Sequence, residues 1–461
     1  MDTKLSFRVR RKPAELITPA KPTPHDQKPL SDLDDREGLR YKLSGVQIYA
    51  KSPCMENDDP VKAVREALAK TLVFYYPFAG RLREGPDRKL TVDCTGQGVV
   101  FVAAEADVRA EEFPLYPPFP CMDQLLYDHD HLHGSQEIVN SPLMLIQVTR
   151  LLCGGFIFAV KFTHNICDAF GMSQFLTAMG EIARGRTSPS VFPIWMRDLL
   201  NVRNPPQPTC THHEFTHLTT RVNVTTDNSP DSDMVYRSVF FNSTNISVLR
   251  NHVPPRLAKC STFDLLAACI WRNRTIALAL HPQQKVRLVF AVNARSRLKS
   301  SIPVGYYGNV FVLPGVISTV EELCNKPIGY ALELVMNAKA NVTEEYVRSF
   351  IDLTVMKGRA PISTEWTYIV DDLTQLGLWD TDYGWGKPVY GGMAYSEVDP
   401  VPGTGNYFLR IRKKDGNEDE IVAPMCLPAF AMQRFDKELQ KLLVYSNSGS
   451  QIGCVKILSA L

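Results

Sequence analysis

His164 and Asp168 can both do acid–base chemistry, and they lie four positions apart just after an apolar stretch. An imidazole titrates near neutral pH, which suits a general base. Residues 155–160 have the composition of a buried strand and a helical pattern follows Asp168, so His164 lies at a strand end where it can face a cleft. Asp168 either shares a helix face with the histidine or, in a strand–turn–helix arrangement, caps the helix or pairs with a cation. The spacing alone also leaves a purely structural histidine open.

Two other patterns of reactive side chains suggest different chemistry. Cys167 and His164 could form a nucleophile–base pair, although a buried cysteine is usually an inert hydrophobe. Residues 213–217 read H-E-F-T-H and match the zinc-protease motif, which works only on a helix. They follow a proline-rich stretch and lead into an extended-looking one, so we predict no metal site there or in the histidine-rich run 129–133. The glycine motifs of nucleotide sites and the G-x-S-x-G elbow are absent from the sequence.

The hydrophobic periodicity predicts strands and helices that alternate irregularly along the chain. Since a strict βαβ rhythm is missing, mixed sheets are favoured over a doubly wound parallel sheet, and the predicted fold class is α/β. The predicted strands cover 5–9, 98–102, 143–149, 155–160, 234–241, 286–292, 365–371 and 406–412, and the predicted helices cover 60–70, 168–184, 261–279, 319–339 and 428–444.

The length of 461 residues predicts two domains, because a single core rarely grows that large. Residues 186–235 are rich in proline and then in threonine, asparagine, aspartate and serine, which is typical of a crossover between domains. We therefore predict an N-terminal domain over 1–190, a crossover over 191–235 and a C-terminal domain over 236–461.

Composition and charge indicate which binding partners and which cellular compartment to expect for this protein. A net charge of +2 gives no global field that would recruit nucleic acid. No apolar run reaches the roughly 20 residues of a membrane span, and the charged first dozen residues lack a signal-peptide pattern. Eleven cysteines without a C-x-x-C pair indicate reduced thiols. We expect a cytoplasmic monomer, with Ser459-Ala460-Leu461 as a partial match to the peroxisomal S-K-L address.

The segment around His164 resembles the H-x-x-x-D signature of the plant BAHD acyltransferase family. Residues 382–386, D-Y-G-W-G, are similar to the D-F-G-W-G signature of the same family and lie in the opposite half of the chain. Similar segments are also found at 76–81 (Y-P-F-A-G-R), 293–295 (N-A-R) and 305–309 (G-Y-Y-G-N), while 30–34 and 424–428 look closest to the benzyl alcohol O-benzoyltransferase and alcohol acyltransferase branch.

The resemblance implies two similar-sized mixed-sheet domains of the chloramphenicol-acetyltransferase type. CoA and the acceptor would enter opposite mouths of an active-site channel between them. His164 would be the general base at the middle of that channel, with no covalent acyl-enzyme. Asp168 would form a salt bridge with Arg295, for which Arg297 is a competitor. Asp382 would hold the loop that bears Trp385.

The implied activity is acyl-CoA-dependent O-acyl transfer, in which an aromatic acyl group, benzoyl or hydroxycinnamoyl, passes to an alcohol. An amine acceptor and a catalytically silent ligand-binding protein remain alternatives. Acyl-CoA is a co-substrate, and neither a permanently bound cofactor nor a metal is expected. Trp385 would either donate to the oxyanion or pack, and Tyr383 departs from the family's phenylalanine. The predicted substrate contacts are Thr163, Asn165 and the stretch near residues 30–40 for the acceptor, and Lys259 and Ser261, just before a helix, for CoA.

Overall fold

A computed structural model describes most of the chain. The histidine-rich run 129–133, residues 220–233 of the crossover and the last two residues of the S-A-L terminus lie outside the described part. The described residues are 5–114, 116–119, 121–128, 138–219, 234–298, 302–377, 380–395, 403–411, 419–443 and 457–459.

Strands and helices alternate irregularly along the described chain, as the periodicity predicted. The strands are β1 (Val9–Arg11), β2 (Glu15–Ile17), β3 (Gln27–Pro29), β4 (Lys42–Tyr49), β5 (Arg81–Glu84), β6 (Leu90–Asp93), β7 (Val99–Ala106), β8 (Met144–Leu151), β9 (Phe156–Thr163), β10 (Met234–Phe241), β11 (Lys285–Phe290), β12 (Val292–Asn293), β13 (Phe311–Val312), β14 (Gly315–Thr319), β15 (Thr367–Asp372), β16 (Tyr390–Met393), β17 (Gly405–Ile411), β18 (Glu420–Pro428) and β19 (Ile457–Ser459). The α-helices are α1 (Pro60–Thr71), α2 (Met122–Leu125), α3 (Ala169–Ala183), α4 (Ser243–Asn251), α5 (Thr262–Leu278), α6 (Val320–Asn325), α7 (Ile328–Ala340), α8 (Glu344–Met356) and α9 (Ala429–Leu443).

The N-terminal half builds a mixed seven-stranded sheet with the order β1-β7-β8-β9-β4-β16, in which β2 also pairs with β7. β7 and β8 are parallel, and the other neighbouring strands are antiparallel. The edge strand β16 comes from the C-terminal part of the chain, which therefore completes the N-terminal sheet. A separate three-stranded sheet has the order β3-β6-β5.

The C-terminal half builds a second mixed sheet of seven strands, in the order β14-β11-β15-β17-β18-β10-β19. β15 is parallel to both of its neighbours, whereas the remaining pairs are antiparallel. Two mixed sheets of equal strand number confirm the predicted α/β class. The domain limits 1–190, 191–235 and 236–461 stay a prediction, because β16 belongs to one half by sequence and to the other by pairing.

Local sequence signals set most of the helix ends. α1 begins at Pro60, directly after the N-cap Asp59. Proline is tolerated there because the N–H of the first helical residue would have no acceptor within the helix. The helix predicted over 319–339 is instead two helices, α6 and α7. Pro327 separates them because it has no N–H to donate and keeps the preceding residue extended. The strand predicted over 5–9 is also displaced, since only its last residue belongs to β1.

Three large apolar cores hold the layers together. The first packs α1 and α3 against the N-terminal sheet, and the second packs α5, α7 and α9 against the C-terminal sheet. The third contains Val46 and Ile48 of β4 together with Tyr407 and Leu409 of β17, so it joins the two sheets. None of the described helices is both long and apolar enough to cross a bilayer.

Candidate active site

Residues 164–168 form the turn between β9 and α3, so the local structure is the strand–turn–helix alternative. The backbone N–H of His164 donates to the carbonyl of Tyr41 at 2.9 Å. The side-chain amide of Asn309 donates to the carbonyl of His164, also at 2.9 Å. His164 is only 8% exposed. Its backbone is therefore held on both sides at the end of a central strand.

His164 lines a cavity between the two halves of the molecule. The empty volume of the cavity, including the solvent at its opening, is about 1090 Å³. Residues 36–41 and His164 supply one wall, and α8 and β15 supply the other. A pocket of this size with a largely apolar lining suits a small organic molecule. The apolar lining includes Leu39, Phe215, Phe311, Leu313, Phe350 and Ile369.

Burial sets the protonation state of His164. It lowers the pKa of the imidazole to about 4, because the charged form loses its water, and the Asp168 carboxylate opposes this shift only in part. The rings of Tyr41 and Phe311 flank the imidazole, with centroids 5.5 and 5.7 Å away. The ring is therefore neutral at pH 7 and can accept a proton.

Asp168 is bound by protein groups and is not part of the cavity lining. Its carboxylate accepts from both terminal nitrogens of Arg295, at 2.8 and 3.0 Å. It also accepts from the backbone N–H groups of Gly171 and Val310, at 2.9 and 3.0 Å. Burial alone would raise the pKa of Asp168, but Arg295 and these hydrogen bonds bring it below its ordinary value. Arg297, the competing partner, is exposed.

Asp34, which the sequence analysis did not single out, organises the same region. Its buried carboxylate accepts from Arg197 at 2.9 Å, from the Ser31 hydroxyl at 2.5 Å, and from the backbone and side chain of Asn309 at 2.9 and 2.8 Å. It thereby ties the start of the chain to the crossover and to the turn that carries Asn309. The Arg197 guanidinium fills the space where a side chain at Gly308 would stand. The sequence signal that could have identified Asp34 is its place in the L-S-D-L-D segment, residues 30–34, where a carboxylate lies next to an apolar residue.

Asp382 shapes the loop that carries Trp385. Its Oδ1 accepts from the backbone N–H groups of Gly384 and Gly386, at 2.7 and 2.9 Å. The indole of Trp385 packs edge-on against Phe156, with centroids 5.4 Å apart. Because Trp385 does not line the cavity described above, its packing role is favoured over oxyanion donation.

The hydroxyl of Tyr383, the departure from the family's phenylalanine, is buried and has a partner. It donates to Oε1 of Gln47 at 3.4 Å. The ring packs against Tyr49 and Phe158, with centroids 5.6 and 5.5 Å away. The extra polar atom is therefore accommodated within the apolar contacts of the loop.

The four individual residues predicted to contact substrates are not in the lining of the His164 cavity, whereas Arg36, Gly38 and Leu39 of the predicted acceptor stretch are. Thr163 is fully buried, and the side-chain amide of Asn165 donates to the backbone carbonyl of Asp34 at 2.7 Å. Ser261 caps α5 by accepting from the N–H of Asp264 at 3.1 Å, and the Asp264 carboxylate accepts from the N–H of Ser261 in return. Lys259 is exposed just before this cap. Substrate roles for these residues remain predictions.

The reactive side chains of the two other patterns, Cys167 and residues 213, 214 and 217, do not line the cavity. Cys167 is fully buried, and burial raises the pKa of its thiol, so it is not a thiolate at neutral pH. His213–Phe215 form a single 3-10 turn. Glu214 is buried and hydrogen-bonded to His212 and to the Tyr346 hydroxyl, at 2.9 and 3.0 Å. The H-E-x-x-H residues therefore do not share one helix face.

Comparison with known proteins assigns the family. The family model described as the Transferase family matches residues 7–442, which is nearly the whole chain. The chain belongs to this family. The predicted BAHD membership is confirmed, and the protein is an acyl-CoA-dependent acyltransferase.

Close relatives support the predicted branch. Benzyl alcohol O-benzoyltransferase of Petunia hybrida is 53% identical over 449 residues and 96% of each chain. Alcohol acyl transferase 1 allele RGb of Malus domestica is 47% identical over 442 residues and 95% of each chain. The chain is therefore similar in sequence to enzymes of this branch over almost its full length.

Solved structures confirm the predicted fold. The crystal structure of vinorine synthase matches with a TM-score of 0.70 at 23% identity, covering 94% of this chain and 98% of that one. F. sporotrichioides TRI101 complexed with coenzyme A and T-2 matches with a TM-score of 0.67 at 16% identity, covering 90% and 98%. The acyltransferase thus has the two-domain, chloramphenicol-acetyltransferase-like architecture with its cavity between the halves.

Proposed function

We propose that this acyltransferase moves an aromatic acyl group from CoA to the hydroxyl of a small alcohol, with His164 as the general base. The observation that carries the proposal is a neutral imidazole on the wall of the cavity between the halves. The names of the relatives, benzyl alcohol O-benzoyltransferase and alcohol acyl transferase, supply the classes of donor and acceptor.

The chemistry requires a base because an alcohol is a weak nucleophile, while the thioester is already activated. His164 removes the hydroxyl proton as the oxygen attacks the thioester carbonyl carbon. The tetrahedral intermediate then breaks its C–S bond, and the imidazolium returns the proton to the leaving thiolate, releasing free CoA and an ester. A positioned general base contributes roughly 10²–10⁴-fold. Cys167 takes no part because its thiol is buried and protonated.

Asp168, Arg295 and Asp382 serve as architecture in this proposal. The Asp168–Arg295 pair joins the start of α3 to the turn at Gly308, whose carbonyl accepts from Arg295 at 2.8 Å. Asp382 orders the loop that packs Trp385 on the N-terminal core. All of these groups act on the shape of the site and not on the reacting atoms.

A matrix of acyl-CoAs against alcohols and amines tests the proposal, with free thiol and product mass as readouts. We expect an ester from benzoyl-CoA or a hydroxycinnamoyl-CoA with an alcohol. Amides in place of esters would favour the amine-acceptor alternative. Release of no thiol with any pair would contradict the proposed reaction and support a silent ligand-binding protein.

A further inference from the structure

The cavity that contains His164 has, besides its apolar lining, two charged side chains of opposite sign, Arg36 and Asp371. The acyl transfer described above uses neither of them. Within the part of the chain that the structure describes, no ion pair joins either side chain to another residue. Neither side chain therefore has a salt-bridge partner in this mostly apolar pocket, although the carboxylates of Asp34 and Asp168 favour the charged form of Arg36 from farther away.

Arg36 is a buried cation with an unused hydrogen-bond donor. The side chain is 5% exposed, its Nε donates to the carbonyl of Leu33 at 2.9 Å, and its Nη2 has no partner. The guanidinium lies over the rings of Phe311 and Phe350, 4.7 and 5.4 Å from their centroids. Burial lowers the pKa of Arg36 to about 10, so it stays charged at neutral pH. Such a group is costly unless something accepts from it.

Asp371 stands on the opposite wall, near the end of β15. Its Oδ1 accepts from the N–H of Ala291 at 3.2 Å, and burial raises the pKa of the carboxyl to about 6. It is therefore ionised at pH 7 without a cation beside it. The next residue, Asp372, instead accepts from the N–H and hydroxyl of Thr374, at 3.0 and 2.6 Å, and does not line the cavity.

We infer that Arg36 and Asp371 recognise two polar groups of the acceptor besides the hydroxyl that is acylated. Arg36 donates to an oxygen of a carboxylate or ester, and Asp371 accepts from a second hydroxyl or an ammonium group. The inference rests on the proposed function and narrows its acceptor. A simple alcohol would leave both charges unpaired, and such sites discriminate strongly against analogues that lack the matching group. The acceptor is thus a polyfunctional alcohol on an apolar skeleton.

The test uses benzoyl-CoA with three acceptors: benzyl alcohol, (hydroxymethyl)benzoate and (dimethylaminomethyl)benzyl alcohol, the last two as meta and para isomers. The tertiary amine cannot itself be acylated to a stable amide. We expect Arg36→Gln to lower kcat/KM for the carboxylate about tenfold relative to benzyl alcohol, which is the loss of one charged hydrogen bond. We expect Asp371→Asn to do the same for the amine. Arg36→Gln should not lower kcat/KM for the amine, and Asp371→Asn should not lower it for the carboxylate.

Two control variants measure the general effect of removing a charged side chain that does not line the cavity. Arg274→Gln removes a half-buried arginine that lies over the Tyr368 ring outside the cavity, and Asp372→Asn removes the carboxylate next to Asp371. Both should leave the ratios among the three acceptors unchanged. Unchanged ratios in Arg36→Gln and Asp371→Asn as well, or equal losses with all three acceptors, would overturn the inference.

Failure of the proposed function gives a different result. If none of the acceptors is acylated, the proposed reaction fails while recognition is still measurable. Isothermal titration calorimetry of the same compounds with the parent protein and with Arg36→Gln and Asp371→Asn then shows whether the two side chains recognise polar groups of the acceptor. A crossed pattern, with the carboxylate dependent on Arg36 and the amine on Asp371, supports recognition. Binding that is equal in all variants, or absent, overturns it.

Discussion

The base that we propose for this acyltransferase is a histidine whose protonated form is disfavoured by its surroundings. His164 has lost its water to the protein interior, so the imidazole stays neutral well below the pH at which free imidazole would protonate. The position of His164 at a strand end was predictable from the sequence, and the paired signature made it the candidate base. Its low pKa was not predictable, nor was the presence of Asp371 opposite the stretch near residues 30–40, because segments far apart in the chain build the walls.

The first prediction concerns the pH dependence of kcat/KM with benzyl alcohol. Falling pH protonates His164 only as it passes about 4, so the acid limb should lie near pH 4 and not near the ordinary histidine value of about 6.5. Asp371 titrates near pH 6 in the same cavity, so the profile should also be measured in Asp371→Asn. Circular dichroism at each pH shows that the chain is still folded. A limb near pH 6.5 in both proteins would contradict the prediction.

At the scale of elements, contacts at the first turn of α3 fix the strand–turn–helix unit that β9 and α3 form. Asp168 caps α3 through Gly171 and at the same time receives Arg295 and Val310 from the C-terminal half. The spacing of His164 and Asp168 allowed two arrangements, and only the structure distinguishes them.

The second prediction is that Arg295→Ala destabilises the protein by about 3–5 kcal/mol, because it leaves the buried Asp168 carboxylate without its cation. Urea unfolding of the purified chain measures this. The matched control is Arg297→Ala, an exposed arginine two positions on, which should stay within about 0.5 kcal/mol of the parent. Equal effects of the two substitutions would show that the ion pair does not hold the turn.

Element boundaries were predictable where the chain carries a local stop or start. The strand predicted over 234–241 is β10, with the same limits. The break at Pro327 was missed because apolar periodicity continues across it. α8 was not predicted, although Thr343 followed by two glutamates is a typical helix start. This helix supplies Phe350 to the cavity, so missing it hid part of the site.

At the scale of the whole molecule, the two halves share structure as well as a cavity. β16 pairs with β4 of the other half, and the third core lies between the two sheets. Composition and length predicted two domains, but no periodicity within one segment can reveal pairing with a strand more than 300 residues away. The halves should therefore unfold together.

The third prediction tests this coupling with Tyr390→Ala in β16. Tyr390 is fully buried, and its ring packs on Phe119 with centroids 4.7 Å apart. Truncation should cost about 3–5 kcal/mol and move one cooperative thermal transition to lower temperature. Tyr395→Ala, at a nearby tyrosine that is 44% exposed, is the control and should have little effect. Two separate transitions, of which only one moves, would show that the halves are independent.

The central claim is that His164 is the base and that no enzyme thiol carries the acyl group. The most direct measurement is release of free thiol from benzoyl-CoA in the presence of benzyl alcohol, compared between His164→Ala and Cys167→Ala, three positions further along the chain. We predict a loss of roughly 10²–10⁴-fold in kcat for His164→Ala, with most activity retained in Cys167→Ala and no acylated protein by intact mass. Activity that survives His164→Ala, or an acyl-enzyme that disappears with Cys167, would contradict the account.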